Sequence, residues 1–339
     1  MTRKGAVSPK RPTIYDLAQI AGASPSAVSS ILNGSWKRRR ISAATAERVI
    51  RIAQEQGYAI NLQASMLRRE RSHIVGMIVP KYDNRYFGAI AEQFETMARA
   101  RGLFPVITCT QRDPELEFDA ARELVSYQAE TIVVTGATEP DRISEFCAAA
   151  GVRTINLDLP GQKAPSVLSD NFGGARDLTR LLIQRVTEDF GNAPPLWFVG
   201  GRPHDHNTTE RLRGFRAALA EAQLDFAAER VLMPGYSPSK ALAAMEQADF
   251  PAKIGIFVNS TIALEGVVRW LNDHKHRTDA RFGCFDWDPF AALLAQNVGM
   301  TEQDVPGMLN RLFDIVTSPG DQFPARIEVP CILKPLLHG

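Results

Sequence analysis

Residues Thr13 to Gly34 have the sequence TIYDLAQIAGASPSAVSSILNG. Thr13 is an N-cap residue type, and Asp16 falls three residues later, where a capping carboxylate reaches back. Leu17, Ala18 and Ile20 supply the apolar face of a first helix, and Ala21-Gly22-Ala23 interrupts it. Ser24 caps a second helix, and Pro25 suits its first position, where the missing N–H has no partner to lose. Val28, Ile31 and Leu32 face inward before Asn33-Gly34 ends the helix. Two short helices across a Gly-containing turn form a helix-turn-helix pattern, although a plain helical hairpin shares it. The following residues favour the first reading. Lys37, Arg38, Arg39 and Arg40 come directly after. A third amphipathic helix, about Ala43 to Gln56, turns Ala46, Val49, Ile50 and Ala53 to one side, with Gly57 to terminate it.

Charge supports this. Met1 to His73 carries 13 Lys/Arg against 4 Asp/Glu, or +9, while the 339-residue chain is +1, which leaves −8 for the remainder. A basic head on an acidic body is the footprint of a module that binds phosphates.

These residues resemble the lactose-repressor/galactose-repressor family of transcriptional regulators. The match runs through Thr13-Ile14-Tyr15-Asp16-Leu17-Ala18, Ala21-Gly22-Ala23-Ser24, Val28-Ser29 and Ile31-Leu32-Asn33-Gly34. It goes on through Ile41-Ser42, Thr45, Val49, Gly57-Tyr58 and Asn61, and continues to about residue 330. The longer basic segment before Ile41 is similar to the fructose-repressor branch. The resemblance implies that the second helix enters the major groove of operator DNA, with Pro25, Ser26 and Ser30 at base-reading positions. Thr13, Tyr15, Ser24, Ser29, Asn33 and Lys37 to Arg40 join the DNA-facing set. The three base-reading side chains are small and offer no bidentate fork to guanine or adenine. Part of the specificity is therefore expected from Lys37 to Arg40 or from DNA shape. Asn61 to Arg71, NLQASMLRRER, matches the hinge helix of the family, too short to be stable alone. There Asn61 is a DNA-contact candidate, Ala64 faces the minor groove, and Leu67 is the apolar wedge between base pairs. A plain linker is the alternative reading.

From His73 the pattern changes. Ile74 to Val79 is a short apolar run, as in a strand buried on both faces of a parallel sheet. Similar runs recur at Phe104 to Thr108, Ile132 to Thr135, Thr154 to Leu157, Leu196 to Val199, Ile254 to Val258 and Phe282 to Phe285. Helical patterns separate them, among them Ile90 to Ala100, Leu178 to Val186, Arg213 to Ala222 and Ile262 to Leu271. Alternation of this length predicts doubly wound α/β domains. The expected architecture is an all-α helix-turn-helix head plus two doubly wound parallel-sheet lobes resembling periplasmic binding proteins. The boundaries are a basic arm over 1–12, the DNA-binding domain over 13–60, a hinge over 61–72 and the effector and dimerisation domain over 73–339. Within the last, the N-lobe takes about 73–170 and 302–323, and the C-lobe about 171–301 and 324–339. The tail, with Pro324, Pro330 and Pro335, can form edge strands at most, and no leucine heptad follows it. A homodimer is expected.

Ligands of open α/β sheets sit beyond the C-terminal strand ends. That rule selects Asn84, Arg85, Tyr86 and Phe87 after the first strand, then Thr135, Asp158, Asp170, Asn259 and Asp286. Resemblance sharpens the set. Arg211, in TERLRGFRAAL, holds the position of the effector-binding arginine, and Tyr236 that of the aromatic platform. Tyr86 and Phe87 match first-lobe contacts, and Asp286 matches the acid that binds ligand hydroxyls. Asp170 and Asn259 could equally be helix caps. Asn259-Ser260 stands where the family commonly has Asn-Asp. With Arg85 and Arg211 nearby, the lost carboxylate favours a sugar phosphate over a neutral sugar.

Other classes lack their signatures. Cys109, Cys147, Cys284 and Cys331 are too widely spaced for a paired-Cys motif, and His204-Asp205-His206 lacks further ligands at metal spacing. No run is long and apolar enough to cross a bilayer, and MTRKGAVSPKRP has no signal-peptide core. No G-x-G-x-x-G after a strand, Walker loop or G-x-S-x-G marks an enzyme. The expectation is a cytoplasmic, cofactor-free transcriptional regulator, foremost a repressor. Its operator affinity is set by a small molecule, a sugar or sugar phosphate, bound between the lobes. Co-repression and activation stay open. The rivals are an α/β enzyme, a transport-type sugar receptor and a DNA-binding protein with a vestigial cleft.

Overall fold

The computed structural model describes residues 12–58, 72–273, 279–318 and 323–336. The hinge candidates Asn61, Ala64 and Leu67 lie outside the described residues, as does the arm over 1–11. The chain divides into two compact units, Met1–Ser72 and His73–Gly339.

Among its described residues the first unit has three helices, α1 (Ile14–Ala21), α2 (Pro25–Leu32) and α3 (Ala43–Glu55). Their ends follow the capping chemistry of the sequence. Thr13 and Asp16 form a reciprocal capping box on α1, and Gly22 closes it in the left-handed conformation at φ 59°. Ser24 accepts from Ala27 N–H at 3.2 Å to start α2, and Ser42 accepts from Thr45 N–H at 3.2 Å to start α3. Leu17, Val28, Ile31 and Val49 are the fully buried aliphatics of this small core. Each contributes roughly 1.5–3 kcal/mol by burial. Two expected core positions are corrected. Ile20 is 54% and Ile50 40% exposed, while Ala21 and Ile52 take the inward places. On α3, Ile50 and Ile52 flank opposite sides of the Ala46–Val49–Ala53 stripe. The neighbouring helices cover one flank only, which periodicity alone does not specify.

The second unit runs β1 (Ile74–Val79), α4 (Arg85–Ala100), β2 (Phe104–Cys109), α5 (Pro114–Ser126), β3 (Thr131–Thr135), α6 (Pro140–Ala149), β4 (Arg153–Leu157) and β5 (Ser166–Ser169). It continues through α7 (Asn171–Phe190), β6 (Leu196–Val199), α8 (His206–Glu221), β7 (Val231–Leu232), α9 (Pro238–Glu246), β8 (Ile254–Val258), α10 (Thr261–Asp273), β9 (Ala280–Phe285) and β10 (Asn297–Glu302). α11 (Val305–Thr317), β11 (Arg326–Val329) and β12 (Ile332–Pro335) complete it. The strands form two six-stranded sheets, ordered β11-β5-β4-β3-β1-β2 and β12-β10-β9-β8-β6-β7. Every pair in the first sheet is parallel; in the second, β12 alone runs antiparallel, beside β10. β1, β3 and β8 are buried along their whole length, as their continuous apolar runs require.

The chain passes between lobes three times, after β5, after β10 and between β11 and β12. The expected assignment of 324–339 to the C-lobe is thereby corrected. Arg326–Val329 pairs with β5 in the N-lobe sheet, and only Ile332–Pro335 joins the C-lobe. Both are edge strands, so the prolines around them interrupt no central ladder. α11 returns to the N-lobe, where Met308, Leu309, Leu312 and Phe313 pack against Phe94 and Val133.

Candidate functional site

The C-terminal strand ends of both lobes meet around a cavity of about 40 Å³. It is lined by Asn84, Tyr86, Phe87, Arg112, Asp158, Asn207, Arg211, Tyr236, Ser260, Ile262, Asp286 and Gln303. Much of the polar lining is joined in one network. Asp158 ends β4 and accepts from Tyr86 O–H at 3.1 Å and from Asn207 Nδ2 of α8 at 3.0 Å, the latter across the lobes. Asn207 Oδ1 accepts from Asn171 Nδ2 at 3.1 Å, and Asn171 Oδ1 accepts from Arg211 Nε at 2.7 Å. Arg211 also donates to the Asn259 carbonyl at 2.6 Å and lies 4.0 Å from Asp286. Asp286 ends β9 and accepts from Gln303 Nε2 at 2.6 Å; Ser169, at the end of β5, donates to Gln303 Oε1 at 2.6 Å. The network thus starts and finishes in the N-lobe and passes through the C-lobe between.

Local packing explains how Arg211 is held. Gly214 lies three residues on in α8, where a Cβ would stand 2.3 Å from the Phe172 carbonyl oxygen. Its absence lets α8 lie against the first turn of α7, which brings Arg211 onto Asn171. The guanidinium stacks 3.7 Å from the Phe285 ring centroid and is 3% exposed. Burial pulls its pKa down, but Asp286, Tyr236 and Asp158 outweigh that and raise it, so it stays charged. Burial pushes the Asp158 carboxyl up to about 6, against the pull of Arg112 and Arg211. Asp286 is also raised by burial, opposed by Arg211 and by the Gln303 hydrogen bond. Tyr236 donates to Asp205 at 2.9 Å, and burial followed by Asp205 pushes its hydroxyl up to about 12. Both phenols are therefore neutral donors near neutral pH; Tyr86 is raised well above its usual value by burial and Asp158.

Of the eleven expected effector residues, the structure brings seven to the lining: Asn84, Tyr86, Phe87, Asp158, Arg211, Tyr236 and Asp286. Four are placed otherwise. Arg85 pairs with Asp288 and lines a neighbouring groove of about 500 Å³ with Trp287 and Glu92, shared with the cavity only through Tyr86, Asp286 and Gln303. Thr135 is buried outside the lining, and among the described residues its hydroxyl has no hydrogen-bond partner. Asp170 caps α7 through Gly173 N–H at 2.7 Å, the cap reading of that residue. Asn259 supports the site from behind, accepting from Arg211 through its carbonyl and reaching Tyr236 O–H at 3.5 Å through Nδ2. The two cations expected to favour an anionic ligand each have a carboxylate beside them, Arg85 pairing with Asp288 and Arg211 lying 4.0 Å from Asp286.

Five lining residues were not among those expected: Arg112, Asn207, Ser260, Ile262 and Gln303. Asn207 stands four residues before Arg211, hence on the same helical face, and that spacing was available. Arg112 follows β2, where the strand-end rule applied. Gln303 follows β10, a strand the apolar runs did not show. Asp205 of the His204-Asp205-His206 cluster caps α8 through Thr208 N–H at 3.1 Å. Among the described residues no cluster of three acidic, His or Cys side chains could hold a metal ion, and no helix is long and apolar enough to cross a membrane.

In the first unit, Tyr15 is 72% exposed, and Ser24, Pro25, Ser26, Asn33 and Lys37 to Arg40 are exposed along α2 and the segment after it. Thr13 is exposed at its cap and Ser29 is half-buried. Ser30 is corrected. It is 5% exposed and donates to the Ser26 carbonyl at 2.7 Å, so its hydroxyl is spent on its own helix.

Comparison with known proteins joins the two units. The family described as "Periplasmic binding protein domain" matches residues 75–301, and "Bacterial regulatory proteins, lacI family" matches residues 13–61. The chain is 62% identical over 193 residues to the ribitol operon repressor of Klebsiella aerogenes, covering 57% of this chain and 72% of that relative. It is 31% identical over 314 residues to the catabolite repressor/activator of Escherichia coli (strain K12), covering 91% and 92%. The lac repressor dimer bound to operator and the anti-inducer ONPF shares the fold, with TM-score 0.77 at 19% identity over 96% of this chain and 98% of that one. With a lacI-type head, a binding-protein body and a repressor/activator relative aligned over nine-tenths of its length, the chain belongs to the lacI family of bacterial regulatory proteins and is an effector-controlled, DNA-binding transcriptional regulator, not an enzyme.

Proposed function

We propose that the effector is a small, uncharged polyhydroxy compound of about five carbons, a pentitol or the sugar formed by its oxidation, held in the interlobe cavity. The observation that carries this reading is the lining itself. Asp158, Asn207, Arg211, Asp286 and Gln303 present donors and acceptors from both lobes, and Tyr86, Phe87 and Tyr236 supply aromatic walls for C–H surfaces. The lining holds two guanidiniums, Arg112 and Arg211, and two carboxylates, Asp158 and Asp286, so its formal charges balance and leave no excess positive charge for a phosphate. The ribitol operon repressor, 62% identical over its matched part, names a polyol of this class. Asn84, Tyr86, Phe87, Asp158, Arg211, Tyr236 and Asp286 bind it, and Arg85, Thr135, Asp170 and Asn259 act around it.

On the DNA side, Tyr15, Ser26, Ser29, Asn33 and Lys37 to Arg40 contact the operator, with Thr13, Ser24 and Pro25 fixing the helices that present them. Asn61, Ala64 and Leu67 act as the minor-groove hinge. The protein works as a cytoplasmic homodimer, and effector binding releases repression. Calorimetric titration of the full chain with ribitol, its ketose oxidation product and the phosphate of each tests the reading. One neutral member is expected to bind at least about tenfold, or 1.4 kcal/mol, tighter than its phosphate. A phosphate that binds tighter than every neutral compound would overturn it.

A further inference from the structure

Arg112 lines the cavity from the N-lobe. It follows β2, where Gln111 and Arg112 both adopt left-handed backbone conformations, at φ 55° and 60°, uncommon for non-glycine residues. The turn is pinned on both sides. Thr110 N–H donates to the Val79 carbonyl at 3.0 Å, and Asp113 caps α5 through Glu115 N–H at 2.9 Å. From there the guanidinium reaches the cavity and lies over two rings, 5.5 Å from the Phe87 centroid in the N-lobe and 5.7 Å from the Tyr236 centroid in the C-lobe. Its hydrogen bond is to the Gly136 carbonyl, at 3.4 Å, and among the described residues no carboxylate is ion-paired with it. It therefore spans the two aromatic walls between which the C–H face of a polyol or sugar ring would otherwise lie.

We infer that Arg112 sets the length of effector that the cleft accepts, by filling the space between Phe87 and Tyr236 that a six-carbon chain or ring would need. This rests on the polyol reading of the cavity and adds to it a selecting residue. Volume acts here rather than charge. The guanidinium lies over two ring faces, donates to a carbonyl and is attracted to Asp158, and an incoming anion would meet Asp158 and Asp286 in the same lining. One carbon is a difference that a closed pocket can discriminate by about tenfold or more.

The test is calorimetry of the full chain with ribitol, its ketose, a hexitol, a hexose and the corresponding phosphates. Three proteins are compared: the unaltered chain, Arg112→Ser and Arg112→Gln. Gln retains much of the reach without the charge, while Ser removes both. The unaltered chain is expected to prefer the five-carbon ligand by about tenfold or more, Gln to keep most of that preference, and Ser to narrow it to about threefold or less. An unchanged preference in Ser overturns the inference, as does equal loss in Ser and Gln, which would make charge the cause. A phosphate bound tightest and lost in both variants would show an anion anchor instead. Failure of the unaltered chain to bind any neutral polyol or sugar sinks the effector reading itself, a result distinct from failure of the size argument.

Discussion

Asp158 shows how much chemistry one residue carries. It is buried, sits at φ 73° at the end of β4 and binds a phenol from its own lobe and an amide from the other. Asp286 repeats that φ at the end of β9 in the second lobe. With its pKa raised by burial to about 6, Asp158 favours the folded state most when protonated. Its contribution is full below the unfolded value of about 4 and is lost as pH rises through about 6. With Asp158 proposed to accept from effector hydroxyls, its ionised form is the stronger acceptor, so affinity is expected to fall as pH drops below about 6. Asp158→Asn should flatten both dependences, raising the melting temperature at pH 7 while weakening effector binding; a thermal melt and a titration at two pH values check this. Arg211 behaves oppositely. Arg211→Ala leaves Asp286 without its buried counter-ion and should destabilise the chain by about 3–5 kcal/mol in a denaturant melt. Asp158 and Asp286 were legible because strand ends point at them, and Arg211 because of the family resemblance. Ser30 was misplaced because its role depends on whether the hydroxyl faces solvent or its own i−4 carbonyl, which residue type does not say.

Among elements, helix starts were the most readable features, because capping is local chemistry. Thr13, Ser24 and Ser42 each sit at the boundary their side chains define. Ser24→Ala should lower head stability by about 1 kcal/mol, measured by thermal melting. Ile52→Ala should cost about 2 kcal/mol or more and Ile50→Ala well under that, since the first removes much more buried surface. The reverse order would mean that the core of the three helices is wrongly oriented. The close approach of α7 and α8 was beyond sequence reasoning, because Gly214 reveals its purpose only when the Phe172 carbonyl stands where a Cβ would go. Gly214→Ala is expected to push the helices apart, cost about 1–3 kcal/mol and weaken effector binding by drawing Arg211 off Asn171. Wild-type affinity in that variant would show that Arg211 is positioned by something other than the helix contact.

At the scale of the molecule, alternating apolar runs were enough to announce two α/β lobes. The route between them was not legible, since β11 and β12 are adjacent four-residue strands of similar composition that enter different sheets. What links the lobes is polar. The Asp158–Asn207 hydrogen bond lies within the cavity and the Arg85–Asp288 ion pair in the neighbouring groove. Arg85 is more than half exposed, so a double-mutant cycle with Asp288→Ala should give a coupling of about 1 kcal/mol or less in effector affinity. Control of DNA binding requires that the effector bind the operator-competent and operator-incompetent forms with different affinity. The same factor must then appear when the titration is run in the other direction.

The most direct measurement is the affinity of the full chain for its upstream DNA at fixed salt, with and without saturating neutral polyol or its ketose. A shift of about fivefold or more, a coupling near 1 kcal/mol, is predicted, with the same factor in effector affinity when DNA is saturating. Tight DNA binding that no such compound alters, although it binds the cleft, would contradict the account.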